Sequence, residues 1–114
     1  PIPKLVGPED AELTIVSWGS NYGAVVEAME KLNLESKKVN FLCLEYLFPF
    51  HNKEVKELLV GSKKLVLLEC NYSGQLGELI AEQTGIMIED KILRYDGNPF
   101  TINKVYEELK KRLN

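Results

Sequence analysis

Two kinds of apolar spacing alternate along the chain. Continuous apolar or β-branched runs occur at Leu13 to Trp18 (LTIVSW), Lys38 to Leu44 (KVNFLCL), Leu65 to Leu68 (LVLL) and Lys91 to Tyr95 (KILRY). Such runs fit strands buried on both faces, as parallel strands are when helices cover the sheet on either side. Each is followed by apolar residues recurring at three and four, the single-face pattern of an amphipathic helix. These sets are Val25, Ala28, Met29 and Leu32; Val55, Leu58 and Leu59; Leu76, Leu79 and Ile80; and Ile102, Val105, Tyr106, Leu109 and Leu113. The predicted order is βαβαβαβα.

Boundary residues support the same division. Ser20 or Asn21 is placed to cap the first helix and Thr101 the last, because their side-chain oxygens can accept from unpaired amides of a first turn. Gly61 ends the second helix, and Gly85 closes the third, where glycine can take the left-handed conformation that ends a helix. Gly23, inside the first turn of the first helix, reads either as a close approach to a neighbour or as tolerated weakness. Lys91 and Arg94 put charge on the fourth strand, which suits an edge. Residues Pro1 to Glu12 read as a linker or edge strand, with Lys4 to Val6 the candidate strand, and residues 13–114 as one domain. Right-handed crossovers favour a mostly parallel sheet of order 2-1-3-4 in a three-layer α/β/α sandwich.

In that order the first and third strands are neighbours whose helices leave toward opposite faces, making a topological switch point. The two most polar turns would meet there: Gly19, Ser20, Asn21 and Tyr22 after the first strand, and Asn71, Tyr72, Ser73, Gly74 and Gln75 after the third. Two readings stay open for them, well-capped tight turns or a docking surface. Neither turn is a dinucleotide fingerprint or a P-loop, and no lysine follows to hold a phosphate. An apolar turn at Leu47, Phe48, Pro49 and Phe50 needs a surface to lie on.

Candidates for catalysis are few. His51, the single histidine, reads as a neighbour of a helix start. No serine has a histidine or lysine at a spacing that argues for an activated nucleophile. Glu45 and Glu69 end strands running the same way, with backbones roughly 10 Å apart across one intervening strand; they read as solvated rim carboxylates. Cys43 and Cys70, the two cysteines, read as buried thiols and form no metal or cluster motif.

Composition narrows the class. With 114 residues, 45% apolar and 27% charged, the chain suits one globular domain. Its net charge of −3, from 17 acidic and 14 basic residues, is spread without the basic stripe that nucleic acid requires. No apolar run approaches the roughly 20 residues of a membrane span, and PIPKLVGPED lacks a signal-peptide core. The expected setting is cytoplasmic, with no nucleic acid or membrane partner.

Four segments in this order and spacing carry a resemblance: VSWGSNYGAVVEAMEKL (Val16 to Leu32), LFPF (Leu47 to Phe50), LLECNYSGQLGELIAEQTG (Leu67 to Gly85) and ILRYDGNPFT (Ile92 to Thr101). Together they resemble the C-terminal region of the α chain of 2-oxoacid:ferredoxin oxidoreductases. The resemblance implies a transketolase C-terminal-like fold with an added antiparallel edge strand. It implies a parent enzyme that oxidatively decarboxylates a 2-oxoacid to acyl-CoA and reduces ferredoxin. Thiamine diphosphate, magnesium, an iron–sulfur cluster and CoA are implied for the parent complex, and no cofactor or catalytic residue for this domain. A first residue of Pro rather than Met agrees with a fragment of a longer α chain. Its implied partners are the rest of that chain and a β chain, docked on the two polar turns and the LFPF turn. Cys70 departs from the acidic or amide residue common there. The alternative is a stand-alone module binding a small molecule or nucleotide at the switch point.

Overall fold

The computed structural model describes residues 3, 5–44, 51–69, 75–94 and 99–113. Its strands are β1 (Leu5–Val6), β2 (Leu13–Trp18), β3 (Val39–Leu44), β4 (Leu65–Glu69) and β5 (Lys91–Leu93). They form one sheet of order β1-β3-β2-β4-β5. Pairing is parallel from β3 to β5, with Ile15 opposite Phe41 and Val66, and Leu68 opposite Ile92. Counted from Leu13, this is the expected order 2-1-3-4. The edge strand is antiparallel, setting Leu5 against Leu42 and Val6 against Phe41.

The helices are α1 (Tyr22–Leu34), α2 (Asn52–Val60), α3 (Gln75–Thr84) and α4 (Ile102–Lys110). Alternation along the strands divides the apolar side chains between two layers. Leu13, Ile15, Phe41, Val66, Leu68 and Ile92 meet α1 and α4, which contribute Val25, Ala28, Met29, Leu32, Val105, Tyr106 and Leu109. Val16, Leu42, Leu44 and Leu67 meet α2 and α3 through Val55, Leu59, Leu76 and Ile80. Both sides of the three central strands β3, β2 and β4 are therefore covered, which is why they read as unbroken apolar runs. Ile102, expected on the apolar face of α4, is instead exposed in the first turn.

Polar side chains fix the layers at defined points. Thr14 Oγ1 donates to Asn40 Oδ1 at 2.6 Å, and Asn40 Nδ2 donates to the Pro8 carbonyl at 2.8 Å, tying β2, β3 and the lead-in from β1 together. The Tyr106 hydroxyl of α4 lies 2.7 Å from Glu35 Oε2 at the end of α1, with Lys31 Nζ 4.2 Å above its ring. Thr101 caps α4 as expected, accepting from the Lys104 amide at 3.1 Å. At the other end of α4, hydrogen bonds from Lys111, Lys104 and Arg112 outweigh partial burial and hold Glu108 at a pKa of about 2.

Helix α1 ends in a Schellman motif. The Ser36 amide donates to Asn33 O and the Lys37 amide to Leu32 O, and Ser36 takes φ of 64°. The left-handed conformation is costly for a residue with a Cβ. Ser36→Gly is expected to stabilise the fold by about 0.5–1 kcal/mol, the relief of left-handed strain less the entropy glycine adds to the unfolded chain. The check is a higher urea midpoint with an unchanged slope.

Candidate functional site

The switch point lies where β2 and β4 end side by side. Helix α1 leaves β2 for one face of the sheet and α3 leaves β4 for the other. Gly19–Asn21 form a single 3₁₀ turn before α1 begins. Neither Ser20 nor Asn21 caps that helix with its side chain. Asn21 turns inward instead: its Nδ2 donates to Ser17 Oγ at 2.8 Å, and Ser17 Oγ donates to the Leu68 carbonyl at 2.8 Å. The extra turn gives Asn21 a near-helical backbone at φ −96° and ψ 6°, away from the extended geometry a capping side chain needs. The Asn21–Ser17 pair stitches β2 to β4 beneath the rim. With its proton on Leu68 and a lone pair on Asn21, Ser17 is a structural hydroxyl, not a nucleophile.

What remains accessible on this turn is Ser20 and Tyr22. Ser20 is exposed, Gly19 is half-buried, and Tyr22 keeps 46% of its surface while its ring lies 6.2 Å from that of buried Phe41. The ring leans on β3 while part of it stays accessible. Gly23 has open space where a Cβ would stand, so of its two readings the close approach is absent. Gln75, at the start of α3, is exposed. Asn71, Tyr72, Ser73 and Gly74 lie outside the described residues, as do Glu45, Cys70 and the Leu47–Phe50 turn.

Glu69 departs most from expectation. It is not a solvated rim carboxylate: it is 0% exposed, and its Oε1 accepts the Leu76 amide in the first turn of α3 at 2.5 Å. Strand alternation explains the placement. Leu67 points to the α2/α3 layer, so Glu69, two residues on, points there too, directly under the start of α3. The α3 N-terminus favours a negative charge. A signal existed in the sequence, since a carboxylate ending a strand just before a helix start is within reach of its unpaired amides.

Other candidates take structural places. His51 Nδ1 lies 3.6 Å from Glu54 Oε2 in the first turn of α2, and Cys43 is half-buried. Among the described residues no group of three or more His, Cys, Asp or Glu side chains stands where a metal could be held. Nor is any helix among them long and apolar enough to cross a membrane. A shallow depression at the opposite end of the sheet is lined by Glu12, Lys63, Lys64, Arg112 and Leu113. Two of its cations are engaged: Lys64 on the Arg112 carbonyl, and Arg112 on Asp90 and Glu108.

Residues 11–105 match the family model of pyruvate:ferredoxin oxidoreductase core domain II. The chain belongs to that family. Core domain II relatives include the 2-oxoacid:ferredoxin oxidoreductase subunit alpha of Saccharolobus solfataricus, 35% identical over 94% of this chain and 17% of that protein. The ketoisovalerate oxidoreductase subunit VorA of Pyrococcus horikoshii is 31% identical over 90% of this chain and 29% of that one. The chain thus spans a minor part of the curated relatives it matches. Among solved structures, the 2-oxoglutarate:ferredoxin oxidoreductase of Magnetococcus marinus, determined with 2-oxoglutarate, coenzyme A and succinyl-CoA bound, superposes with a TM-score of 0.85 at 29% identity, covering 96% of this chain and 19% of that one. The alpha chain of a probable 2-oxoacid ferredoxin oxidoreductase from Thermoplasma acidophilum gives 0.67 at 33% identity, covering 96% of this chain and 95% of that one. The transketolase C-terminal-like architecture expected from the sequence agrees with these neighbours.

Proposed function

We propose that this core domain II is a structural and subunit-interaction domain of a cytoplasmic 2-oxoacid:ferredoxin oxidoreductase α chain. The parent enzyme decarboxylates a 2-oxoacid oxidatively, forms an acyl-CoA and passes electrons to ferredoxin. Residues 13–114 form the body of the domain, and residues 1–12 bring its edge strand. Its docking face is the switch-point rim of Gly19, Ser20, Asn21, Tyr22 and Gln75, continued by Asn71, Tyr72, Ser73 and Gly74 and by the Leu47, Phe48, Pro49 and Phe50 turn. Its partners are the rest of the α chain and a β chain. Within the rim, Asn21 acts from below by holding the turn.

One observation carries the reading. At the place where an α/β sheet presents its ligand or partner surface, the buried polar groups are committed to structure and a half-exposed tyrosine stands out beside the exposed Ser20 and Gln75. Ser17, Asn21 and Glu69 Oε1 are occupied in holding strands and helix, which leaves Tyr22 presented for contact. Tyrosine is enriched among residues that dominate interface energies. Thiamine diphosphate, magnesium, the iron–sulfur cluster and CoA are proposed for the parent complex, and none of them for this domain. Those groups belong to other parts of the complex.

The test is reconstitution: the domain is mixed with the rest of its α chain and a β chain, and association and ferredoxin reduction are followed with several 2-oxoacids. Tyr22→Ala is expected to weaken association about tenfold, equivalent to about 1.4 kcal/mol, and Gln75→Ala less. Unaltered assembly and turnover in both variants would refute the docking role.

A further inference from the structure

We propose that the second carboxylate oxygen of Glu69 is an acceptor held for a basic side chain that the docked partner chain delivers, an inference that rests on the docking role above. Six polar or charged residues are buried among those described: Thr14, Ser17, Asn21, Asn40, Glu69 and Thr84. The neutral five are all paired within the chain. Thr14 is on Asn40, Asn40 on the Pro8 carbonyl, Ser17 on the Leu68 carbonyl, Asn21 on Ser17 and Thr84 on the Ile80 carbonyl. Glu69 is half-paired. Its Oε1 is on the Leu76 amide, while Oε2 is the buried side-chain polar atom, among the described residues, that has no partner.

That exception sits under the proposed docking rim and nowhere else. Glu69 ends β4, two residues past the Val16–Leu67 pair, so it lies beside Trp18 at the end of β2. Buried polar atoms are nearly always satisfied, and a carboxylate oxygen without a donor is among the costliest exceptions. A lysine or arginine from the partner chain supplies both the missing donor and the countercharge, in a charge-assisted bond stronger than a neutral one. The residues that fix Oε1 also aim Oε2, so the acceptor is oriented before the partner arrives. A donor that reaches Oε2 displaces the atoms that bury it and turns an unsatisfied acceptor into a paired one.

The experiment compares wild type, Glu69→Gln and Tyr22→Ala in the complete α chain, measuring its affinity for the β chain at low and high salt. Glutamine keeps an oxygen on the Leu76 amide but turns the free position into a donor without charge. Glu69→Gln is expected to weaken association about tenfold, a loss of about 1.4 kcal/mol, and to flatten its salt dependence. The unassembled α chain should melt within a few degrees of wild type, since a buried oxygen without a donor is exchanged for a buried amide NH2 without an acceptor. Wild-type affinity and salt slope in Glu69→Gln, with Tyr22→Ala weakened, would overturn the acceptor role and leave the docking surface standing. Wild-type behaviour in both variants would overturn both. Weakened association of Glu69→Gln with an unchanged salt slope would show that Oε2 takes no cation from the partner, and would also refute the proposal.

Discussion

Phe41→Ala is expected to remove about 3–5 kcal/mol of stability, the range found when a buried phenylalanine is truncated. Phe41 is fully buried in β3, between Ile15 of β2 and Val6 of the edge strand, and it packs in the same layer as Met29 and Val66. Its loss opens a cavity bounded by a sheet whose neighbouring strands are hydrogen-bonded in place and close around it poorly. For a domain near this size each kcal/mol lowers the melting temperature by about 4 °C or more, so a fall beyond about 12 °C is expected in a thermal melt. Phe41→Leu should lose much less. The variant also tests the rim, because the Phe41 ring supports Tyr22 from below. A melt within a few degrees of wild type would show that the layer refills from α1.

Gly7→Ala is the second large effect. Gly7 follows β1 with φ of 108°, a conformation that L residues rarely adopt. A Cβ there would stand 3.1 Å from the Val39 carbonyl oxygen and 3.0 Å from Met29 Cε. The methionine tip can swing away; the carbonyl belongs to β3 and cannot. Backbone strain and overpacking together are expected to cost about 2–4 kcal/mol. The loss should be local first, because β1 pairs through Leu5 and Val6 and would detach before the parallel sheet opens. Hydrogen exchange should therefore show β3 amides deprotected under conditions where β4 stays protected. Uniform protection across the sheet would refute this account.

The contrast between these two positions indicates what the sequence can disclose. Phe41 lies in an unbroken apolar run, and such runs with their trailing helical periodicities give the element order, the two layers and the switch point. The signal survives because burial on both faces of a strand writes itself into every residue. Gly7 carries no such mark: its requirement comes from the Val39 carbonyl across the sheet, and nothing between Val6 and Pro8 announces it. The site divides in the same way. Turn residues at Gly19 to Tyr22 are visible as a polar cluster, but whether an asparagine caps a helix or ties down a strand depends on one added 3₁₀ turn. Glu69 was misread because residue type argued for water, while alternation from Leu67 sends the side chain under α3. Position in the sheet outranked polarity.

The layer formed by α1 and α4 has a consequence for how the chain acquires its fold. Its members come from both ends of the described sequence, and the Tyr106–Glu35 bond spans 71 positions. Contacts of such separation raise the loop-closure entropy to be overcome before they reward the chain, and they slow folding. During synthesis, Val25, Ala28, Met29 and Leu32 leave the ribosome well before Val105 and Leu109 exist to cover them. The α2/α3 layer, by contrast, needs nothing after Ile88. Vectorial synthesis thus yields a half-sandwich whose second apolar side stays open until α4 emerges, and this interval is when the nascent chain is most exposed to aggregation.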